Sequence, residues 1–128
     1  MRRIVVSIQN RLLSEAICET LREDGKFETF EILQEHMDKT ADECELLRPE
    51  ILLMEVTYGY EATLEKRLET GHRVREILPD CKIVLLCDDN SSPSIANRVK
   101  EARYKGFIDA FFYASVSSAY LKAVLESL

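Results

Sequence analysis

The 128-residue chain lacks the features that mark membrane, zinc-binding and disulfide-rich proteins. No apolar run approaches the roughly 20 residues of a membrane-spanning helix, and Ile4 to Ile8 is too short for the apolar core of a signal peptide. The four cysteines show no CxxC or CxH spacing, so buried reduced thiols are the expected state. The two histidines share no metal-ligand spacing. We therefore expect a cytoplasmic protein without a metal or a membrane attachment.

Signatures of catalysis and of nucleotide binding are also missing. The chain has no glycine-rich phosphate loop, no Ser/His/Asp set and no fingerprint of a hydride-carrying cofactor. Its net charge of −6 disfavours non-specific binding to nucleic acid. These absences indicate a protein that is not an enzyme, carries no cofactor and does not itself bind nucleic acid.

The sequence does contain a regular alternation of apolar strands and amphipathic helices. Apolar residues make up 46% of the chain and charged residues 31%, as in a soluble domain, and we treat residues 1–128 as one domain. Strands are predicted at Arg3–Ile8, Phe27–Leu33, Ile51–Val56, Lys82–Cys87 and Phe107–Tyr113. A helical segment follows each strand, and this (βα)5 order predicts a doubly wound α/β fold with a five-stranded parallel sheet.

Local signals set the expected helix boundaries. Asn10 is a candidate N-cap for the first helix, and Ser92-Pro93 opens the fourth. Either Ser115 or Ser117 can cap the last helix. Gly71 lies inside the predicted third helix, 61–78, and weakens the helical propensity there.

A carboxylate ends the buried strand ILLMEV. Open parallel sheets place their sites beyond the carboxyl ends of the strands, so Glu55 lies where function is expected. The other residues predicted to line this edge are Ile8, Gln9, Cys87, Asp88 and Tyr113.

The element order together with RPEILLMEV, ILPDCKIVLL and KGFIDAFFY resembles the receiver domains of bacterial two-component response regulators. The resemblance covers essentially the whole chain and implies a flavodoxin-like fold. It also implies a site in which two acids hold Mg²⁺, an Asp accepts a phosphoryl group, a Thr or Ser bonds it and a Lys pairs with it. An aromatic residue on the fifth strand reports the event.

The residues at these positions depart from that pattern. The resemblance places the acidic pair on Ile8 and Gln9, the acceptor on Glu55, the Thr/Ser on Cys87, the Lys on Tyr113, the proline after it on Ala114 and the aromatic on Ala110. Mg²⁺ prefers carboxylate oxygens, so the site is expected to lack both a metal and positive neighbours for a phosphoryl group. The chain is thus interpreted as a pseudo-receiver without phosphotransfer chemistry.

Two interpretations of Glu55 remain open. Its extra methylene moves the carboxylate outward by roughly 1.5 Å, so it could hold permanently the charge that an Asp acquires on phosphorylation. It could instead be a solvated remnant of a lost site. As an alternative function, Glu55, Asp88 and Asp89 could form an unusual site that still accepts phosphate or a cation, although the favoured interpretation of the two Asp residues is that they cap or turn the chain before Pro93.

Aromatic residues in the second half of the chain suggest an interaction face. The resemblance implies that the face formed by the fourth helix, fifth strand and fifth helix forms a homodimer or binds a protein partner or output domain. It also implies a role in transcriptional or developmental regulation. The candidate residues are Tyr104, Phe107, Tyr113 and Tyr120. Phe107 is also expected to pack in the core with Phe111 and Phe112.

Overall fold

The computed structural model describes residues 1–88 and 92–128, without the side chain of residue 60. Its strands form one sheet in the order β2-β1-β3-β4-β5, with every neighbouring pair parallel. The strands are β1 Arg2–Ser7, β2 Phe27–Ile32, β3 Ile51–Val56, β4 Lys82–Cys87 and β5 Ala110–Tyr113. The predicted doubly wound α/β architecture and its five strands are confirmed.

Helices alternate with the strands as predicted. They are α1 Arg11–Arg22, α2 Thr40–Leu47, α3 Leu64–Ile77, α4 Pro93–Tyr104 and α5 Ser118–Ser127, with short 3₁₀ turns at 34–39 and 60–62. Asn10 caps α1, because its side chain accepts a hydrogen bond from the Leu13 amide. Ser92 caps α4 in the same way, and Ser117, rather than Ser115, caps α5. No helix within the described ranges is both long and apolar enough to span a membrane.

The central strand β3 is buried on both faces and orients Glu55. Leu53 packs with the cluster under α1 and α5, whereas Met54 packs with the cluster under α2, α3 and α4. Since side chains alternate along a strand, Glu55 follows Leu53 toward the α1–α5 side. Its partner in the parallel register is Leu86, which belongs to the same cluster.

Gly71 allows α3 to lie close against the sheet. A Cβ atom at this position would lie 3.2 Å from Ile83 Cγ2 and 3.9 Å from Met54 Cε. The helix therefore continues through Gly71 despite its poor helical propensity, because packing on β3 and β4 outweighs that preference. This contact sets how closely α3 packs on the face of the sheet.

The fifth strand is shorter than predicted. It begins at Ala110 rather than Phe107, because α4 ends in a turn in which Gly106 has φ +81. Ile108 takes the buried position after that turn and is 1% exposed. Phe107 is 57% exposed, so the expectation that it packs in the core is wrong.

Candidate functional site

Glu55 is held by the loop that follows β1. Its side chain is partly buried, and Oε1 accepts a hydrogen bond of 2.9 Å from the backbone amide of Gln9. Such a bond to a carboxylate is charge-assisted and stronger than a bond between neutral groups. The carboxylate is thus held at the carboxyl edge of the sheet, where the sequence placed it, by a backbone donor.

Gln9 also joins the loops after β1 and β3 through its side chain. The Thr57 hydroxyl lies 3.4 Å from Gln9 Oε1 and 3.2 Å from the Gly59 carbonyl oxygen. The Thr57 amide donates to the Ala62 carbonyl at 2.7 Å. The two loops that frame Glu55 are therefore tied together around it.

A buried arginine lies beneath this edge and was missed in the sequence. Arg67, on α3, is 1% exposed. Its Nε donates to the Glu55 carbonyl at 2.7 Å, and its two terminal nitrogens donate to the Ser7 hydroxyl at 3.0 Å and to the Ser7 carbonyl at 2.9 Å. The guanidinium thus joins the carboxyl ends of β1 and β3, the two strands at the switch in strand order.

The contacts of Arg67 continue into a buried polar chain. Ser7 Oγ lies 3.2 Å from Thr40 Oγ1, and the Thr40 hydroxyl donates to the Met37 carbonyl at 2.7 Å. Ser7 and Thr40 are both almost completely buried. This network fixes the start of α2 and the position of α3 relative to the end of β1.

Arg67 is a cation at the site that the sequence analysis did not identify. Its guanidinium binds the Glu55 carbonyl and Ser7 rather than a carboxylate, so the expectation that a phosphoryl group at Glu55 would lack positive neighbours stays a prediction. The signal in the sequence was the helical spacing of Leu64, Arg67, Gly71 and Val74, all of which are buried on one stripe of α3. An arginine on an apolar stripe indicates a buried polar contact.

Two other predicted pocket residues, Ile8 and Cys87, are buried in the core. Ile8 is 2% exposed and packs in the cluster under α1 and α5. Cys87 is 2% exposed but packs with Val56 on the opposite face of the sheet. Asp88 is exposed, and Asp89, the remaining acid of the alternative site, lies outside the described residues. The structure therefore brings Gln9 to Glu55 but directs Ile8 and Cys87 into the core.

The Cys87 thiol has the properties of a core side chain. Burial raises its pKa to about 11, because the apolar surroundings disfavour the thiolate. The interpretation of Cys87 as a small core thiol rather than a nucleophile is in accord with this environment. Across 1–88 and 92–128, no group of three or more His, Cys, Asp or Glu side chains could hold a metal ion.

The aromatic residues surround the edge strand β5. Tyr113 makes an edge-to-face contact with Phe111 at a centroid distance of 6.1 Å, and Tyr120 makes one with Phe112 at 6.2 Å. Tyr104 is 91% exposed and Tyr120 is 59% exposed. Aromatic surface is therefore exposed on α4, β5 and α5, the elements that the sequence indicated.

Known proteins are similar to this chain in structure rather than in sequence. No family model matches the chain, and no curated protein matches it. A DNA-binding response regulator of the LuxR family from Staphylococcus aureus has a TM-score of 0.78 at 13% identity, over 99% of this chain and 98% of that one. The REC domain of AraT, a response regulator from Geobacillus stearothermophilus, has a TM-score of 0.76 at 14% identity, over 98% of this chain and 91% of that one.

A third similar structure comes from another organism. The CheY-like response regulator receiver domain protein from Methanospirillum hungatei JF-1 has a TM-score of 0.71 at 15% identity, over 99% of this chain and 92% of that chain. The chain therefore has the flavodoxin-like fold of response regulator receiver domains. At these identities the similarity concerns the fold, so function has to be argued from the site.

Proposed function

We propose that the protein is a non-catalytic signalling module, a pseudo-receiver in which Glu55 carries a permanent negative charge in place of a phosphorylated Asp. The observation that carries this proposal is the burial of Ile8, which stands where the resemblance places one of the metal-binding acids. Ile8 is buried in the core, so no carboxylate stands there to share a magnesium ion with Glu55. The Glu55 carboxylate is already bonded to the Gln9 amide.

The expected result of a phosphorylation experiment is no reaction. Intact mass is measured after incubation with acetyl phosphate or phosphoramidate and Mg²⁺, with an active receiver domain as a control for the donor. We expect no mass gain, because phosphoryl transfer needs positive charge placed around the transferring group. A stoichiometric gain that Glu55→Ala abolishes would contradict the proposal.

The partner of this module is proposed to be a protein, either a second copy or an output domain. Receivers with this fold act through other domains, and the similar staphylococcal structure is of a DNA-binding response regulator. This similarity favours transcriptional regulation as the process, with developmental control as one setting. The proposed contact is the aromatic face defined by Tyr104 on α4, Phe107 in the turn before β5, Tyr113 on β5 and Tyr120 on α5.

Self-association through this aromatic face can be tested by sedimentation velocity. We expect the combined Tyr104→Ser and Tyr120→Ser variant to raise the Kd of the dimer at least about tenfold, since exposed aromatic residues often dominate an interface. Leu46→Ser on α2, a residue that is 78% exposed, serves as the control and should leave the Kd unchanged. A wild-type protein that stays monomeric at every concentration would remove the homodimer from the proposal.

A further inference from the structure

Arg67 is a buried cation bound by uncharged oxygen atoms. Its three hydrogen bonds go to two carbonyl groups and one hydroxyl group. No ion pair within 4.0 Å joins it to a carboxylate in the part of the chain that the structure describes. A guanidinium in such surroundings is unfavourable unless a counter-charge lies nearby.

The counter-charge comes from carboxylates beyond direct contact. Burial lowers the pKa of the Arg67 guanidinium to about 10, and the Glu55 and Glu61 carboxylates oppose this change. Of these two residues, Glu55 is the one that Arg67 also contacts directly, because Arg67 donates to its main-chain carbonyl while the Gln9 amide donates to its carboxylate. The two charges are therefore attached to the same residue of β3, in a partly buried site where solvent screens them weakly.

We propose that Arg67 is a positioning residue that supplies, from within the fold, the positive charge balancing Glu55, so that the carboxylate keeps its place on the Gln9 amide without a bound cation. An active receiver binds Mg²⁺ from solution, whereas in the proposed arrangement the cation is the Arg67 guanidinium on α3. The inference deepens the proposed function and rests on it only in taking Glu55 as the charged group of the site.

The charge coupling can be measured with a double-mutant cycle. Glu55→Gln and Arg67→Gln are made singly and together, and the equilibrium constant of urea unfolding is determined for each protein. Glu55→Gln is expected to raise the unfolding constant by one factor in the wild-type protein and by a smaller factor in the Arg67→Gln protein. The first factor should be at least about fivefold larger than the second. Arg67→Lys, which keeps the charge but not the planar fork, should retain most of that difference.

A surface pair gives the matched control for this cycle. Arg98 on α4 pairs with Glu65 on α3, and both side chains are largely exposed. The corresponding Glu65→Gln and Arg98→Gln cycle should show a coupling below about twofold, because water and salt screen exposed pairs. A coupling below about twofold at Glu55 and Arg67 as well would overturn the inference.

A second measurement needs no Arg67 variant and remains decisive if Arg67→Gln fails to fold. The thermal midpoint of the wild-type protein is compared in magnesium chloride and in EDTA at matched ionic strength. The inference predicts equal midpoints, whereas a magnesium-dependent rise that Glu55→Gln abolishes would show that Glu55 recruits its cation from solution and would overturn it. Neither measurement involves a phosphodonor. A result that overturns the role of Arg67 is therefore distinguishable from phosphorylation of Glu55, which would overturn the proposed function.

Discussion

Arg67→Met is expected to lower the free energy of unfolding by about 2–5 kcal/mol. Three hydrogen bonds from the guanidinium would be lost, each worth about 1.5–3 kcal/mol when one partner is charged. Removing the charge offsets part of this loss, because burial of the charged guanidinium is itself unfavourable. Burial lowers the pKa of Arg67 from 12.5 to about 10. At about 1.4 kcal/mol for each pKa unit, this shift corresponds to roughly 3 kcal/mol. The lost hydrogen bonds outweigh the relieved charge, since the carbonyl oxygens of Ser7 and Glu55 lose this donor.

The control for this substitution lies on the same helix. Arg73 on α3 is exposed and pairs at the surface with Asp42, so Arg73→Met should change the free energy of unfolding by less than about 1 kcal/mol. Both variants are measured by urea unfolding monitored by circular dichroism. Equal, small effects of the two substitutions would show that the network beneath Glu55 contributes nothing to stability.

Gly71→Val is expected to lower the free energy of unfolding by about 1–3 kcal/mol. The first added carbon already lies 3.2 Å from Ile83 Cγ2, and two further methyl groups add volume to this tight contact between α3 and the sheet. Gly71→Ala should have a much smaller effect, because the gain in helical propensity of about 1 kcal/mol opposes the tight contact. Thermal or urea unfolding of the two variants separates these contributions.

Gly59→Val provides the matched control, because an added Cβ there meets no atom within 4 Å. Its backbone, with φ −143, is extended and accepts a β-branched residue. A Gly59→Val protein that is as destabilised as Gly71→Val would contradict the packing argument.

The alternation of strands and helices could be predicted because each strand carries its own local signal. The runs ILLM and IVLLC within these strands are apolar throughout, as is typical of strands buried on both faces. Asn10 and Ser92 are side chains that commonly cap helices, and each stands directly before a helical pattern. The start of β5 could not be predicted, because FIDAFFY continues the apolar pattern through Phe107. Only the turn at Gly106 removes that residue from the sheet.

The site could be predicted only in part. The position of Glu55 followed from its place in the strand, but its donor is a backbone amide, which no side-chain pattern reveals. Arg67 is 12 residues away from Glu55 along the chain and reaches it through tertiary packing. Ile8 lies one residue beyond the end of β1, a boundary that sequence patterns fix poorly. Cys87 ends β4 as predicted, and the alternation of side chains along that strand directs it to the face opposite Leu86.

Glu55 at the end of a core strand can thus be explained by its neighbours. An acid there accepts a hydrogen bond from the Gln9 amide, and in the proposed arrangement it offsets the charge of the Arg67 guanidinium. Under the proposed function, a permanently charged site would need no activation by a kinase. Control of the protein would then come from its abundance and from partner binding at the aromatic face.

The central claim is that this edge of the sheet does not take up magnesium and a phosphoryl group. The most direct test is a titration of the ¹⁵N-labelled protein with Mg²⁺ and beryllofluoride, followed through the backbone amides of Gln9 and Glu55. The account predicts that both resonances stay in place. A second set of Gln9 and Glu55 resonances that appears only with both reagents, and that Glu55→Ala abolishes, would contradict it.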